Sequence, residues 1–252
     1  MSAAMEEIAA AISAAREKAN VPSSVDLSQY ANLIEMFAYC ATEFADRPVI
    51  SCMSKTLTYR ELDVLSAQFA CYLQNHTNLR AGDRIALQMP NILQYPVALF
   101  GAIRAGMIVV NTNPLYSERE LKHQLNDSGA KVLVVLANVA EAAAAVIPDT
   151  PVETVIVTEI ADLHTGFKRP LINTVVKRVK KMVPNVSFKN SISYRKALSL
   201  GKSGRYTPAT PTAEDVALLQ YTGGTTGVSK GAMISHRNLM ANVLQSKQLF
   251  ES

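Results

Sequence analysis

The sequence has no tryptophan and only three cysteines among its 252 residues. These are Cys40, Cys52 and Cys71, an odd number without any pair at the close spacing that zinc sites use. We therefore expect neither a disulfide framework nor a structural zinc site, and the pattern is typical of reduced thiols in the cytoplasm. Charged residues are also few, at 18%, while hydrophobic residues reach 48%, a balance that predicts a folded domain with a sizeable core.

Long apolar runs are missing as well. The longest uncharged stretch, 85–103, contains Gln88 and Pro90, and the apolar run 132–140 is too short to cross a bilayer. The N-terminal stretch carries two early glutamates and no uninterrupted apolar region, so it does not resemble a secretory signal. We therefore expect a cytoplasmic protein without a membrane-spanning helix.

Acidic residues are absent from 163–213, a stretch that holds eleven of the 25 lysines and arginines. The rest of the chain therefore has 14 bases against 21 acids, a net charge of −7, although the whole chain is +4. Such a block predicts an anionic partner or surface. Nucleic acid is excluded as that partner because aromatic residues are sparse in the block.

Part of this block has the periodicity of an amphipathic helix. At the helical angle per residue, one group of apolar side chains shares an arc of about 140°, and Asn173, Thr174 and the bases fill the remainder. Two alternatives remain open: a helix on an anionic membrane, at the inner face of the plasma membrane, or a helix docked on its own domain with a solvated basic face. The apolar arc contains Leu171, Ile172, Val175, Val176, Val179, Met182 and Val183, and the bases are Lys177, Arg178, Lys180 and Lys181.

Between the first helices and the basic block, apolar β-branched segments alternate with amphipathic ones. Two Ser/Thr residues followed by Glu three positions later predict capping boxes, Thr58 with Glu61 and Ser117 with Glu120, and Gly129 predicts a helix end. The alternation favours an α/β fold class with layered, mostly parallel sheets and helices. We expect strands at 84–89, 107–111, 131–136 and 152–158, a hairpin at 48–59, and helices at 5–19, 32–44, 59–75, 93–105, 117–127 and 137–146.

The most specific feature is a segment rich in glycine and threonine between predicted strands at 216–221 and 230–234, followed by a helix over 238–248 that Ser235 caps. Glycines let backbone N–H groups turn inward to form an anion-binding nest, hydroxyl groups add donors, and Lys230 adds a point charge suited to phosphate. We expect the segment to bind a phosphate group through Tyr221, Thr222, Gly223, Gly224, Thr225, Thr226, Gly227, Val228, Ser229, Lys230, Gly231 and Ala232.

The segment is not a Walker P-loop, which requires lysine between glycine and a hydroxyl residue, because Lys230 stands between Ser229 and Gly231. A flexible hairpin of small polar residues is the plain alternative. The segment is similar to the phosphate-binding signature of the adenylate-forming ligases, the superfamily of acyl-CoA synthetases, luciferases and peptide-synthetase adenylation domains. Ser229 replaces a proline that many members have. Gly223 stands where many members have serine, and in this the segment resembles the bacterial long-chain fatty-acid–CoA ligases. The stretches 89–101, 104–116 and 123–130 resemble the same group.

The resemblance implies a two-step reaction. ATP and a long-chain fatty acid form an acyl-adenylate and pyrophosphate with Mg²⁺, and coenzyme A then displaces AMP. Lys230 would act as a catalytic residue at the β- and γ-phosphates, where preorganised donors stabilise the growing charge. Thr222 would share that catalytic role and contact Mg²⁺, and Thr225, Thr226 and the glycine amides would hold the same phosphates.

The resemblance covers roughly residues 28–248. It predicts an alanine-rich extension over 1–27 and the N-terminal portion of an AMP-binding domain over 28–252, including the basic amphipathic segment 163–213. The family's remaining nucleotide motifs and its C-terminal domain would lie beyond Ser252, so we expect this polypeptide alone to form no acyl-adenylate. Three hypotheses remain: a piece of a fatty-acid–CoA ligase, an inactive truncated paralogue acting as a binding or membrane-associated module, or a ligase for another carboxylic acid. A homodimer is also left open.

The remaining polar residues carry weaker predictions. His236 has two interpretations, as part of the acyl site or as a local hydrogen-bonding group at the start of its helix, and the second is favoured. The other histidines are scattered and predict no metal set, and the charged residues near Ser117 are interpreted as a solvated helix face. These groups are His76, His123 and His164, and Glu118, Arg119, Glu120 and Lys122.

Overall fold

The structure, a computed structural model, describes residues 3–18, 24–222 and 229–251. Seven of the helices in these ranges begin and end within three residues of the expected positions, whereas the helix at 168–174 differs from the predicted basic helix and the one at 194–201 was not predicted. Their bounds are α1 Ala3–Lys18, α2 Leu33–Glu43, α3 Tyr59–His76, α4 Gln94–Arg104, α5 Glu118–Ser128, α6 Ala140–Val146, α7 Lys168–Thr174, α8 Tyr194–Gly201 and α9 His236–Glu251.

The strands form one small hairpin and one large sheet. The hairpin pairs β1 with β2, and the seven-stranded sheet has the order β7-β6-β5-β3-β4-β8-β9, in which only β8 and β9 are antiparallel. The predicted α/β class with a mostly parallel sheet is therefore confirmed. The strands are β1 Pro48–Cys52, β2 Lys55–Thr58, β3 Arg84–Gln88, β4 Ile108–Thr112, β5 Ala130–Leu136, β6 Thr154–Thr158, β7 Ser191–Ser193, β8 Val216–Thr222 and β9 Lys230–Ser235.

The strand order reverses direction at β3. From β3 the chain crosses to β4 on one side, and from β4 it returns past β3 to β5 on the other side. In parallel α/β sheets the connections on the two sides of such a point diverge and leave a crevice at the carboxyl ends of the strands. The sequence pattern predicted parallel strands but not their order, so the crevice is a result of the structure.

Two apolar layers cover the sheet. On one face α3, α4 and α8 pack around Phe69 and Tyr194, whose buried rings stack at 5.3 Å. On the other face α5 and α6 cover the sheet through residues such as Leu121, Leu125 and Ala143, which are fully buried together with Leu133 of β5. Because side chains alternate between the faces of a strand, buried strands of this kind read as continuous apolar runs in the sequence.

Both predicted capping boxes are present. Thr58 and Glu61 exchange side-chain and backbone hydrogen bonds at the start of α3, and Ser117 and Glu120 do the same at α5. Gly129 closes α5 with a φ of 61°, in the left-handed region that glycine enters at low cost. These local signals place the beginning and end of α5, the helix that lies beside the crevice.

The predicted basic helix is wrong in its extent and in its faces. The α-helix α7 ends at Thr174, a π-helical turn continues over Val175–Val179, and Lys181 has a φ of 50°. Asn173, expected on the polar face, is buried. Its amide oxygen accepts a hydrogen bond from the Ala161 N–H, and its amide nitrogen donates one to the Glu159 carboxylate. A wheel at 3.6 residues per turn cannot represent the wider π turn, which shifts every later side chain.

No helix within the described ranges has the length and apolarity that a bilayer crossing requires.

Candidate functional site

A cavity of about 1280 Å³ lies at the carboxyl ends of β3, β4 and β8, where the strand order reverses. Residues at the carboxyl ends of these strands, or directly after them, line the cavity. Residues at the N-terminal turns of α4 and α5 form its walls. In open α/β sheets this is the place where ligands bind. The lining residues are Leu87, Met89, Asn91, Tyr95, Asn111, Thr112, Asn113, Tyr116, Ser117, Arg119, Glu120, His123, Gln220, Tyr221 and Ser229.

A chain of hydrogen bonds connects the elements around the cavity. The Tyr95 hydroxyl donates to Asn111 Oδ1 at 2.8 Å, and Asn111 Nδ2 donates to Gln220 Oε1 at 2.9 Å. Gln124 of α5 donates to the Asn111 carbonyl oxygen at 2.8 Å. Burial raises the pKa of the Tyr95 hydroxyl, so it stays a donor at neutral pH. The network holds α4, α5, β4 and β8 in one arrangement with polar groups along the cavity.

The hairpin of β8 and β9 brings part of the predicted phosphate segment to this cavity. In its register Thr222 stands opposite Lys230, Tyr221 opposite Gly231, and Gln220 opposite Ala232. Thr222 and Lys230 are exposed, and Ser229 lines the cavity. The predicted residues Gly223, Gly224, Thr225, Thr226, Gly227 and Val228 lie outside the described residues.

Tyr221 is buried, and its hydroxyl donates to Asp127 Oδ2 at 2.6 Å. Burial, together with the hydrogen bond to Asp127 and its negative charge, raises the pKa of this hydroxyl far above its ordinary range. The hydroxyl therefore stays protonated and remains a donor to the carboxylate. Gly231 faces the tyrosine ring, because a Cβ at that position would stand 2.9 Å from Cε2.

His123, for which the sequence predicts no role, contacts the Ser229 end of the segment. Its Nε2 lies 3.0 Å from the Ser229 carbonyl oxygen, and because a carbonyl only accepts, Nε2 is the donor. His123 and Asp127 are four residues apart and therefore lie on one face of α5. That spacing, on a helix with a recognisable capping box, was the signal that sequence reasoning missed.

His236 does not line the cavity. It is buried, and its Nδ1 accepts a hydrogen bond from the Leu33 N–H at 3.3 Å, at the start of α2. Burial lowers the pKa of this imidazole, and the negative charge of Asp215 acts in the opposite direction. The preferred interpretation, a local bond at the start of its own helix, is wrong in its partner, since Leu33 belongs to a different helix.

The charged residues near Ser117 lie partly at the surface and partly at the edge of the cavity. Glu118, Arg119, Glu120 and Lys122 are exposed as expected, but Arg119 and Glu120 also border the cavity. Lys122 pairs with Asp149 at 2.7 Å, away from it. Over the part of the chain that the structure describes, no group of three or more His, Cys, Asp or Glu side chains could hold a metal ion.

Comparisons of the sequence and of the structure with known proteins indicate the same family. The sequence pattern of one family, described as AMP-binding enzyme, matches residues 37–252. The chain is 48% identical to a long-chain-fatty-acid–CoA ligase of Salmonella typhimurium over 93% of its length and 42% of the relative's. It is 32% identical to the enzyme of the same name in Bacillus subtilis, over 80% of the chain and 36% of that relative.

A solved structure, a long-chain-fatty-acid-CoA ligase from Archaeoglobus fulgidus, superimposes with a TM-score of 0.70 and 27% identity. The match covers 92% of this chain and 42% of that one. The chain thus spans about two fifths of the length of the relatives it matches.

Proposed function

Because the chain belongs to the AMP-binding enzyme family, we propose that it supplies the phosphate-binding part of an enzyme that activates long-chain fatty acids. The reaction would form an acyl-adenylate from ATP and the fatty acid, and coenzyme A would then displace AMP. One observation carries the proposal: the β8–β9 hairpin places the ends of the glycine- and threonine-rich segment at the cavity where the strand order reverses.

The hairpin geometry supports a role in stabilising the leaving group. When the fatty-acid carboxylate attacks the α-phosphorus, the bond to the pyrophosphate oxygen breaks and negative charge grows on the pyrophosphate. Lys230 and Thr222 face each other across the hairpin, so an ammonium and a hydroxyl are available to the same phosphates. Donors fixed before the reaction stabilise such charge without reorganisation.

Mg²⁺ would bind through oxygen ligands and neutralise charge on the phosphates. The exposed hydroxyl of Thr222 is the protein ligand that we assign to it, since it lies at the end of β8 beside the segment. The backbone amides and hydroxyl groups of residues 223–228 complete the proposed phosphate site.

The alternatives of an inactive truncated paralogue or a ligase for another acid are not favoured, since several curated relatives at 47–48% identity share one name. A chimera tests the choice: residues 37–252 replace the matching region of the Salmonella typhimurium relative. We expect palmitate to drive exchange of labelled pyrophosphate into ATP. A folded chimera that exchanges only with an aromatic acid such as 4-coumarate, or with no acid, would contradict the proposal.

We further propose that the basic segment contacts an anionic membrane. Three of the seven side chains of the apolar arc, Leu171, Val179 and Met182, are 56%, 73% and 55% exposed, and the other four are half-buried, so the segment still presents apolar side chains to solvent. Phe167, at the start of α7, is 75% exposed as well. Apolar side chains beside clustered bases are the combination by which a surface helix binds acidic lipids. The bases are Lys168, Arg169, Lys177, Arg178, Lys180 and Lys181.

A further inference from the structure

One helix contacts both ends of the proposed phosphate segment. Asp127 of α5 accepts from Tyr221, the residue before Thr222, and His123 of α5 donates to the carbonyl of Ser229, the residue before Lys230. The two contacts, at Tyr221 and Ser229, therefore flank residues 222–228 on the chain. They come from helix positions one turn apart, at distances of 2.6 and 3.0 Å.

We propose that His123 and Asp127 are positioning residues that fix Tyr221 and Ser229 at the cavity, and with them the adjoining Thr222 and Lys230. The inference rests on the proposed function, because it assigns these side chains to the binding of the pyrophosphate group. Neither residue needs to touch the phosphates. Each acts through its partner, His123 through the Ser229 peptide and Asp127 through the Tyr221 ring.

The chemistry of each contact suits a permanent restraint. The Nε2–H of His123 is retained whether the ring is neutral in this tautomer or protonated, so the bond to Ser229 does not require one charge state. A trans peptide directs its N–H opposite to its C=O, so holding the Ser229 carbonyl also sets the direction of the Lys230 N–H. His123 therefore helps to orient the residue that we assign to the β- and γ-phosphates.

Tyr221 is held by two contacts, one to its hydroxyl and one to its ring. The Tyr221 hydroxyl is held by Asp127, and its ring is in close contact with the bare Cα of Gly231 on the paired strand. The ring therefore connects α5, β8 and β9 at one point. Thr222 and Lys230, which adjoin these held positions, therefore lose less conformational entropy when they bind an anion.

A purely structural role, in which the same bonds only attach α5 to the sheet, predicts a different outcome. Asn126, next to Asp127, provides the comparison, because its amide donates to the Asp149 carbonyl oxygen at 3.2 Å on another side of α5. Asn126→Ala removes a neutral anchor of the same helix without touching the segment. If attachment of α5 were all that mattered, Asn126→Ala and the positioning variants would behave alike.

The test uses the 252-residue chain, sodium pyrophosphate as the probe, and amide NMR with two readouts. The first is hydrogen exchange of the Thr222 and Lys230 amides without ligand, and the second is the pyrophosphate affinity from chemical-shift titration. The variants are His123→Phe, Tyr221→Phe, His123→Gln, which keeps a donor, and the control Asn126→Ala.

We expect His123→Phe and Tyr221→Phe each to speed exchange of the two amides and to weaken pyrophosphate binding by about 3- to 10-fold. Asn126→Ala should change neither, and His123→Gln should recover most of the loss. Equal behaviour of all four variants, or a loss that His123→Gln does not recover, would overturn the inference.

The two readouts separate this inference from the function on which it rests. If no form binds pyrophosphate but His123→Phe and Tyr221→Phe still speed exchange, the restraint stands and the proposed phosphate site is wrong. If the unmodified chain binds pyrophosphate near residues 222–230 and these two variants match it in both readouts, the phosphate site stands and the positioning role is wrong.

Discussion

At the scale of single residues, the absence of one Cβ sets how closely β9 approaches β8. In Gly231→Ala the new Cβ would lie 2.9 Å from Tyr221 Cε2, so the ring must move and its 2.6 Å bond to Asp127 must lengthen. We expect a loss of about 1–3 kcal/mol in the free energy of unfolding, measured by chemical denaturation. Ala232→Ser, at an exposed neighbour, should stay within about 0.5 kcal/mol. Equal stability of the two variants would show that the ring has room.

His236 gives a prediction about pH. Its folded pKa lies below the unfolded value of about 6.5, mainly because of burial. The unfolded chain therefore takes up the proton first, so the contribution is fully present above about pH 6.5 and is lost as pH falls through the folded pKa. Protonation of Nδ1 also removes the acceptor for the Leu33 N–H.

In His236→Asn, whose amide oxygen can still accept from Leu33, this part of the pH dependence should disappear. Denaturant unfolding at pH 5 and pH 7.5 measures it, and the difference between the two pH values should be smaller in the variant. An unchanged pH dependence would mean that His236 titrates normally in the folded chain.

At the scale of elements, the basic segment is where prediction and structure differ most, and it carries a test of membrane contact. Reversing four bases to Glu should weaken binding to vesicles of phosphatidylcholine and phosphatidylglycerol on the order of 10²-fold or more, since each base near such a surface contributes about 1 kcal/mol. Co-sedimentation measures it. The reversed residues are Lys177, Arg178, Lys180 and Lys181.

The matched control reverses four exposed bases of the same acid-free stretch that lie beyond Met182, the last exposed residue of the apolar arc. It changes the net charge equally, so it should retain most of the binding if the helix surface, rather than total charge, is responsible. Similar loss in both variants, or no loss in the first, would rule out the helix as the contact. The control residues are Lys189, Lys196, Lys202 and Arg205.

Most elements could be predicted from the sequence because their signals are local. Thr58 with Glu61 and Ser117 with Glu120 mark helix starts within four residues, and continuous apolar, β-branched runs mark the buried strands. The π turn at Val175–Val179 could not be predicted, because a helical wheel assumes one angle per residue. The exposed arc of this segment follows from tertiary contacts of Asn173 that no local pattern encodes.

At the scale of the whole molecule, the site depends on strand order. Asn111 meets Gln220, and His123 meets Ser229, across 109 and 106 residues of chain. The chemistry of the phosphate segment was recognisable from its glycines, hydroxyl groups and Lys230. The cavity beside it was not, because periodicity predicts parallel strands without saying which of them are neighbours.

The central claim is that segment 221–232 stabilises the pyrophosphate leaving group, and Lys230→Ala in the chimera tests it most directly. Palmitate-dependent exchange of labelled pyrophosphate into ATP should fall on the order of 10²–10³-fold, because a preorganised cation is lost from the transition state. Lys189→Ala, at an exposed base outside the cavity lining, should leave the rate unchanged. A folded Lys230→Ala chimera that exchanges pyrophosphate as fast as the unmodified one would contradict the account.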